Sequence, residues 1–292
     1  MASDLLSIGL SGAKAARTAL EVTSQNISNA STAGYVRRSV SLMEVSGAGG
    51  FGTLTDVSLS GVRVDKVVRN ADLFRQAEVR RTGADVARAD AEVTGLENVE
   101  AAIDQSRVYP AMVGFEGALQ QLAGDPTDAS LRSGVIEAAR TLSDTFNIAS
   151  NSLDSAESGL QFDAQAGTNS VNTLSAELAR VNLRLSRAAD ATSDQTTLMD
   201  QRDNLLQQIS QYANIATTFN TDGSVDVRIG GTSGPQIVQG GTATAIAMTT
   251  AANGTISFAA GASAVTLTGG SLAGQALTLT KSDRVIQMGV AV

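Results

Sequence analysis

The first thirty residues place apolar side chains at a period of seven. Leu6, Ala13, Leu20 and Ile27 recur at that interval, and Leu10, Ala16 and Thr23 fall three or four residues from them. So narrow a stripe predicts a helix that packs along a coiled-coil seam. With that little apolar surface the helix is marginal alone and requires a mate, from its own chain or from a neighbour. The polar run Ser28-Asn29-Ala30-Ser31-Thr32-Ala33-Gly34 ends it, with Gly34 free to take positive φ. Alternation of period two takes over across 35–45. After a glycine-rich stretch at 47–52, Val57, Leu59, Val62, Val64 and Val67 predict further extended chain, turning as a hairpin near Ser60-Gly61.

Helical periodicity returns near residue 70. Val79, Val86 and Val93 repeat every seven, interleaved with Ala89, Leu96 and Ile103. Pro110 biases Tyr109 away from helix, so a break is expected at Val108-Tyr109-Pro110, then a short helix over 112–122. Gly124-Asp125-Pro126 reads as a stop and restart, with Asp125 capping the next helix and Pro126 in its first position. The strongest ladder follows: Leu131, Val135, Ala138, Leu142, Phe146, Ala149, Leu153, Ala156 and Leu160 advance by threes and fours. Val171, Leu174, Leu178, Val181, Leu185 and Ala188 continue it after a slip of phase near Ala164 and Gly167. As one rod of about 58 residues it would be roughly 85 Å long, and the 70–105 helix is its expected antiparallel neighbour.

A last helix is predicted over 197–214, with Leu198, Leu205, Ile209 and Tyr212 on one face. Thr221-Asp222-Gly223 between two short alternating runs signals a hairpin, and the rest, rich in Gly, Thr, Ala and Val, reads as β-structure. The predicted fold class is mainly α with a smaller β part. It divides into an N-terminal axial helix and turn (1–34), an extended linker (35–69), a long antiparallel helical bundle (70–215) and a β-rich segment, an incomplete domain (216–292).

Composition removes much chemistry. The 292-residue chain has no His and no Cys, which excludes Ser-His-Asp and Cys-His triads, ordinary zinc sites and disulfides. Only 3% of residues are aromatic against 42% hydrophobic, which suits helices packed along narrow seams better than one thick core. The net charge of −8 disfavours nucleic acid, and Arg80-Arg81 with Arg75 and Arg88 sit among Asp85, Asp90 and Glu92, as on a solvated helix face. No apolar run reaches bilayer length, and no basic, apolar leader opens the chain, so neither a membrane span nor a cleaved signal is expected.

Two motifs carry more. Thr23-Ser24-Gln25-Asn26-Ile27-Ser28-Asn29-Ala30-Ser31-Thr32-Ala33-Gly34-Tyr35 is, by spacing alone, a helix end and polar loop. It resembles the N-terminal signature of flagellar axial proteins. Leu198-Met199-Asp200-Gln201-Arg202-Asp203-Asn204-Leu205-Leu206 resembles a stretch of the hook-associated proteins of the hook–filament junction, the FlgK family. Read physically, Asp200 and Asp203 in a first helical turn would complement the helix dipole, and Arg202 would pair with a carboxylate on a neighbouring helix. The alternative is a catalytic carboxylate pair on one helix face, with no second acid nearby to support it.

The resemblance implies a structural subunit and no enzyme, with no cofactor and no metal. It implies export without a cleaved signal peptide to the extracellular flagellum, an export chaperone, and a ring of copies between hook protein and the next junction protein. Its assembly residues would be the seam Leu6, Leu10, Ala13, Leu20 and Ile27 and the turn Asn26, Asn29, Gly34 and Tyr35. Asp200, Arg202 and Asp203 would organise the last helix. The family's chains run longer and finish in a second amphipathic helix; here no seven-residue seam is read after Gly274, so a tail altered near that point is expected. Another axial subunit, of hook or distal rod, and a phage-fibre or adhesin stalk stay open as alternatives.

Overall fold

The computed structural model describes residues 2–32, 34–46, 59–188 and 193–290. Helix α1 (Ala2–Ser28) lies across an antiparallel ribbon of β1 (Arg38–Ser46) and β2 (Leu59–Arg69). It buries Ala15 and Val22 against the ribbon and leaves the heptad row outside. Close approach is possible because β2 presents Gly61 to Ser11; a Cβ there would collide with the Ser11 hydroxyl, which instead accepts the Val62 N–H at 3.1 Å. Ser60-Gly61 is therefore no hairpin turn but a bulge inside β2, where the register shifts between Glu44 and Ser46 and Gly61 has φ 101°. The 47–52 stretch lies outside the described residues.

Asp72 caps α2 (Leu73–Ser106) by accepting the Phe74 and Arg75 N–H groups. The helix breaks at Arg107, the only non-glycine with positive φ among the described residues, and not at Tyr109-Pro110. Pro110 sits in the first turn of α3 (Val108–Gly124), where an N–H has no intrahelical acceptor and its absence costs nothing. The restart also differs from expectation. Asp125 makes the linking turn with Thr127, and Asp128 caps α4 (Ala129–Leu185) through the Ser130 and Leu131 N–H groups.

Helix α4 runs unbroken for 57 residues, or about 85 Å at ~1.5 Å per residue. The expected slip at Ala164 and Gly167 is no discontinuity. The small residues admit a neighbour: Ala164 is fully buried, and a Cβ on Gly167 would meet Leu272 at 2.9 Å. Helix α3 packs antiparallel on the first half of α4, and α2 continues along it, with Gly95 beside Leu160. Phe146, counted in the ladder, is exposed; Thr145 occupies the inward position. The valines of α2 do not face α4 either. Arg80, Ala84, Gly95 and Val99 are the buried positions, with Gly95 against α4, and Val79, Val86 and Val93 are exposed.

Helix α5 (Ser193–Tyr212) packs on the second half of α4, burying Leu198, Leu205, Leu206 and Ile209. A four-stranded antiparallel sheet follows: β3 (Ile215–Phe219), β4 (Val225–Ile229), β5 (Gln236–Gln239) and β6 (Thr242–Ala243). A three-stranded one comes next, β7 (Ile246–Thr250), β8 (Ile256–Ala260) and β9 (Ser263–Val265). The hairpin turns at Gly223, φ 83°, where the Asp222 carboxylate accepts the Ser224 N–H and hydroxyl.

The β-rich reading fails after residue 270. Ser271–Val290 is helix α6, which returns to pack between α2 and α4. Leu272 and Leu279, seven apart, are its buried row. The threonines that suggested a strand fold back: Thr278 donates to the Gly274 carbonyl and Thr280 to that of Ala276, so their hydroxyls are satisfied inside a helix. Among the described residues, no helix is long and apolar enough to cross a membrane.

The α2–α6 contact is nearly backbone on backbone. A Cβ on Gly274 would collide with the Arg88 carbonyl, and one on Gly95 would meet Thr278 at 2.8 Å. Gly274→Val is expected to destabilise the chain by about 1–3 kcal/mol through overpacking. Gly159→Ala, at an open position of α4, is expected to stabilise it by ~0.5–1 kcal/mol. Urea denaturation followed by circular dichroism checks both; equal midpoints for the two variants would contradict this packing.

Candidate functional site

Asn26 is the hinge of the signature turn. Its side-chain amide donates to the Arg38 carbonyl at 2.8 Å and accepts the Arg38 N–H at 2.9 Å, as a neighbouring strand would. The Tyr35 hydroxyl donates to the same Asn26 oxygen at 2.9 Å, and Arg38 lies 5.2 Å from the Tyr35 ring centroid. Asn29 closes the helix by donating to the Gln25 carbonyl and accepting from the Thr32 hydroxyl. Gly34, at φ 79°, passes over Asn204 of α5, where a Cβ would sit 3.4 Å from the amide. The turn residues predicted from sequence are thus brought together and set against α5.

Arg38 and Arg69 face each other across the ribbon as cross-strand partners, with side chains only 7% and 6% exposed. Two like charges so placed repel. Asp200 resolves this by giving one carboxylate oxygen to each, at 2.8 Å to Arg38 and 2.9 Å to Arg69. Asp203, one turn on, accepts from Arg69 at 2.8 Å and from Gln76 at 3.2 Å with one oxygen. Its other oxygen takes the Arg202 guanidinium at 2.9 and 2.7 Å. Arg202 also donates to the Gly223 carbonyl and stacks 4.7 Å from the Phe219 centroid. One set of charges therefore joins α1, the ribbon, α2, α5 and the first sheet.

Two expectations are corrected. Asp200 and Asp203 lie well past the first turn of α5, which starts at Ser193, so guanidinium groups and not a helix dipole hold them. Arg202 pairs with its own neighbour Asp203 and not with a carboxylate on another helix. Arg80, read as solvated, is also buried. It makes no ion pair among the described residues, and burial pushes its guanidinium below the usual range, against the opposing field of Asp203. Arg202 is pushed down by burial too, opposed by Asp203. Both stay cationic, since arginine titrates far above neutrality.

The partners that sequence reasoning missed are Arg38, Arg69 and Gln76. They lie 127–162 residues from the aspartates they bind, and no local spacing links them. Asp200 lies in the wall of a cleft of about 460 Å³ between Gln25, Tyr35, Gln201 and Asn204, but all four carboxylate oxygens of Asp200 and Asp203 are taken by donors. Among the described residues no group of three or more acidic side chains is placed to hold a metal ion.

A terminal helix with an open seam, locked to a helical body by a buried charge joint, defines an architectural protein of mainly helical class. Residues 93–286 match the family described as "Flagellar hook-associated protein FlgK helical domain", and residues 6–35 match "Flagella basal body rod protein". The chain belongs to the FlgK hook-associated family, a family of structural flagellar proteins. It is 27% identical over 223 residues to flagellar hook-associated protein 1 of Bacillus subtilis, covering 72% of this chain and 43% of that one. The Escherichia coli protein of the same name is 25% identical over 249 residues, covering 84% and 45%. A solved structure of the flagellar hook junction protein FlgK from Burkholderia pseudomallei shares the fold, with TM-score 0.57 and 19% identity over 70% of this chain and 38% of that chain. The chain thus spans less than half the length of these relatives. The family match runs on through α6 to residue 286, in accord with its helical packing.

Removing the Asp200 carboxylate while keeping its size, as in Asp200→Asn, leaves Arg38 and Arg69 buried, opposed and short of an anion. The expected cost is about 3–5 kcal/mol, read from the urea midpoint. Arg17→Ala breaks only the exposed pair with Glu21 and is expected to leave the midpoint unchanged. A midpoint for Asp200→Asn within error of wild type would remove the joint from its structural role.

Proposed function

We propose that this chain is a structural subunit of the bacterial flagellum at the junction between hook and filament, assembling through α1. The carrying observation is the inversion of α1. Ala15 and Val22 are buried on the ribbon, while Leu6, Leu10, Leu20 and Ile27 are each more than half exposed and Ala13 is open beside them. An apolar seam left outside by a folded body is an interface in waiting. The charge joint at Asp200 and Asp203 sets the direction in which that seam leaves the bundle. The junction reading draws on the relatives named above. It carries with it a ring of copies, contact with hook protein and the next junction protein, a chaperone, and export without a cleaved signal peptide. Helices through the described residues of 73–212, with no compact β-domain among them, favour this over a hook or distal-rod subunit.

Introduced together at the gene's own locus, Leu20→Asp and Ile27→Asp are expected to abolish motility, with bare hooks and filament protein in the medium. Exposed substitutions of this kind change stability by no more than ~0.5 kcal/mol, so the purified variant should melt with wild type. Filamented, motile cells carrying the pair would refute the seam. Deletion of the gene with filaments intact would refute the junction reading itself.

A further inference from the structure

The inner face of α2 is built from small side chains, Ala84, Ala91 and Gly95 among them, which let α4 and α6 approach closely. Apart from the buried Val99, its large aliphatic residues face outward. Val79, Val86 and Val93, with Leu96 and Ile103, are 37–59% exposed. At about 3.6 residues per turn this row lies nearly opposite the buried one. It is a second coiled-coil seam, roughly 36 Å long at ~1.5 Å per residue. Acidic residues border it on both edges. Glu78, Asp85 and Glu92 are already paired with Arg81, Arg88 and Lys281. On the other edge Asp90, Glu97 and Asp104, spaced by sevens, are exposed and make no ion pair among the described residues.

A complementary surface lies elsewhere on the chain. The groove between α4 and α5, of about 630 Å³, has Val181 and Leu205 in its floor, Arg180 and Arg184 on its rim, and Glu177 at the end one turn before Arg180. Arg187 extends the row by one turn. All three arginines are exposed and unpaired among the described residues.

We infer that the α2 seam docks into the α4–α5 groove of a second copy of this chain, with the acidic edge of α2 lying along the shorter arginine row and Glu97 opposite Arg184. Within one molecule Glu97 and Arg184 are held far apart. Gly95 packs beside Leu160, and Arg184 lies 24 residues farther along α4, roughly 36 Å away at ~1.5 Å per residue. Because the surfaces differ, the contact is heterologous and propagates around a ring or along a helix. The opposite charges favour this pairing of faces, and the aliphatic seam supplies the burial. This deepens the junction reading and rests on it for the assembly in which copies stand side by side.

The chain contains no Cys, so an introduced pair holds its only thiols. Glu97→Cys and Arg184→Cys in one purified chain are expected to give, on oxidation at rising concentration, a ladder of dimers and higher multimers. The ladder should weaken at about 0.5 M salt. In that background Asp90→Arg and Arg180→Glu should each lower the yield roughly fivefold, and the two together should restore it. A ladder no stronger than that of Glu137→Cys with Arg184→Cys, in chains with unchanged circular dichroism, overturns the contact. So does a double swap that cross-links no better than either single one. Because the purified chain carries the test, a missing ladder alongside intact gene-dependent filaments sinks this contact alone, whereas filaments that persist without the gene sink the junction reading.

Discussion

Two arginines placed face to face on a ribbon would push its strands apart, and one aspartate turns that repulsion into the joint of the molecule. Arg38 and Arg69 are directly opposite in the register of β1 and β2, and both side chains are almost fully buried. Asp200 takes one from each side, and Asp203 then binds Arg69 and Arg202 together. Direct packing between the ribbon and the bundle is slight. The orientation of the ribbon, and of α1 lying on it, therefore follows from where α5 presents two carboxylates. Buried ion pairs are weak contributors to net stability, because desolvation offsets their attraction. Their geometry is strict, however, and a joint that must aim a 27-residue helix benefits from strictness more than from affinity.

A second device recurs where helices meet strands. Asn26 binds both the N–H and the carbonyl of Arg38, the first residue of β1. Asn182 does the same to Val225, the first residue of β4, and Asn172 to Ile246, the first of β7. In each case a helical amide stands in for a missing neighbour strand, satisfying two backbone groups that burial would otherwise penalise. Asn172 and Asn182 both project from α4, so one rod registers the starts of both sheets. Strands β4 and β7, five residues each, hold their place because their first residue is tied to a rigid helix.

The sequence discloses this architecture unevenly, and the reasons are physical. Amphipathic ladders report burial only where large side chains face inward, as on α4 and α5, and there the elements were legible. On α2 the heptad of valines is real, but it marks the outside, because the inside is filled by Ala and Gly, which a hydrophobic pattern undercounts. Helix α6 reads as strand because Thr278 and Thr280 favour extended chain in isolation, while contact with α2 and α4 decides otherwise. The motif around Asp200 was legible as a motif. Its partners were not, since pairing across 131 and 162 residues leaves no trace in local spacing. Arg107, whose left-handed backbone divides α2 from α3, carries no glycine or proline to announce it.

Helices α1 and α2 share an arrangement opposite to that of a helix in a self-sufficient globule. Each turns mostly small residues inward, Ser11 against Gly61 and Ala15 on the ribbon, Ala84, Ala91 and Gly95 against α4 and α6, and apart from Val22 and Val99 each holds its largest aliphatic residues out. Small inner residues bring backbones close, so the body gains rigidity from dispersion contacts and fixed geometry while using little of the available apolar area. The larger hydrophobic driving force is then left unspent at the surface. A body built this way is ordered before it associates, and association removes apolar surface from water without first having to order the helices that carry it. That division of small residues within and large residues without is the constraint to which the Asp200 joint, the asparagine ties and the glycine contacts all answer.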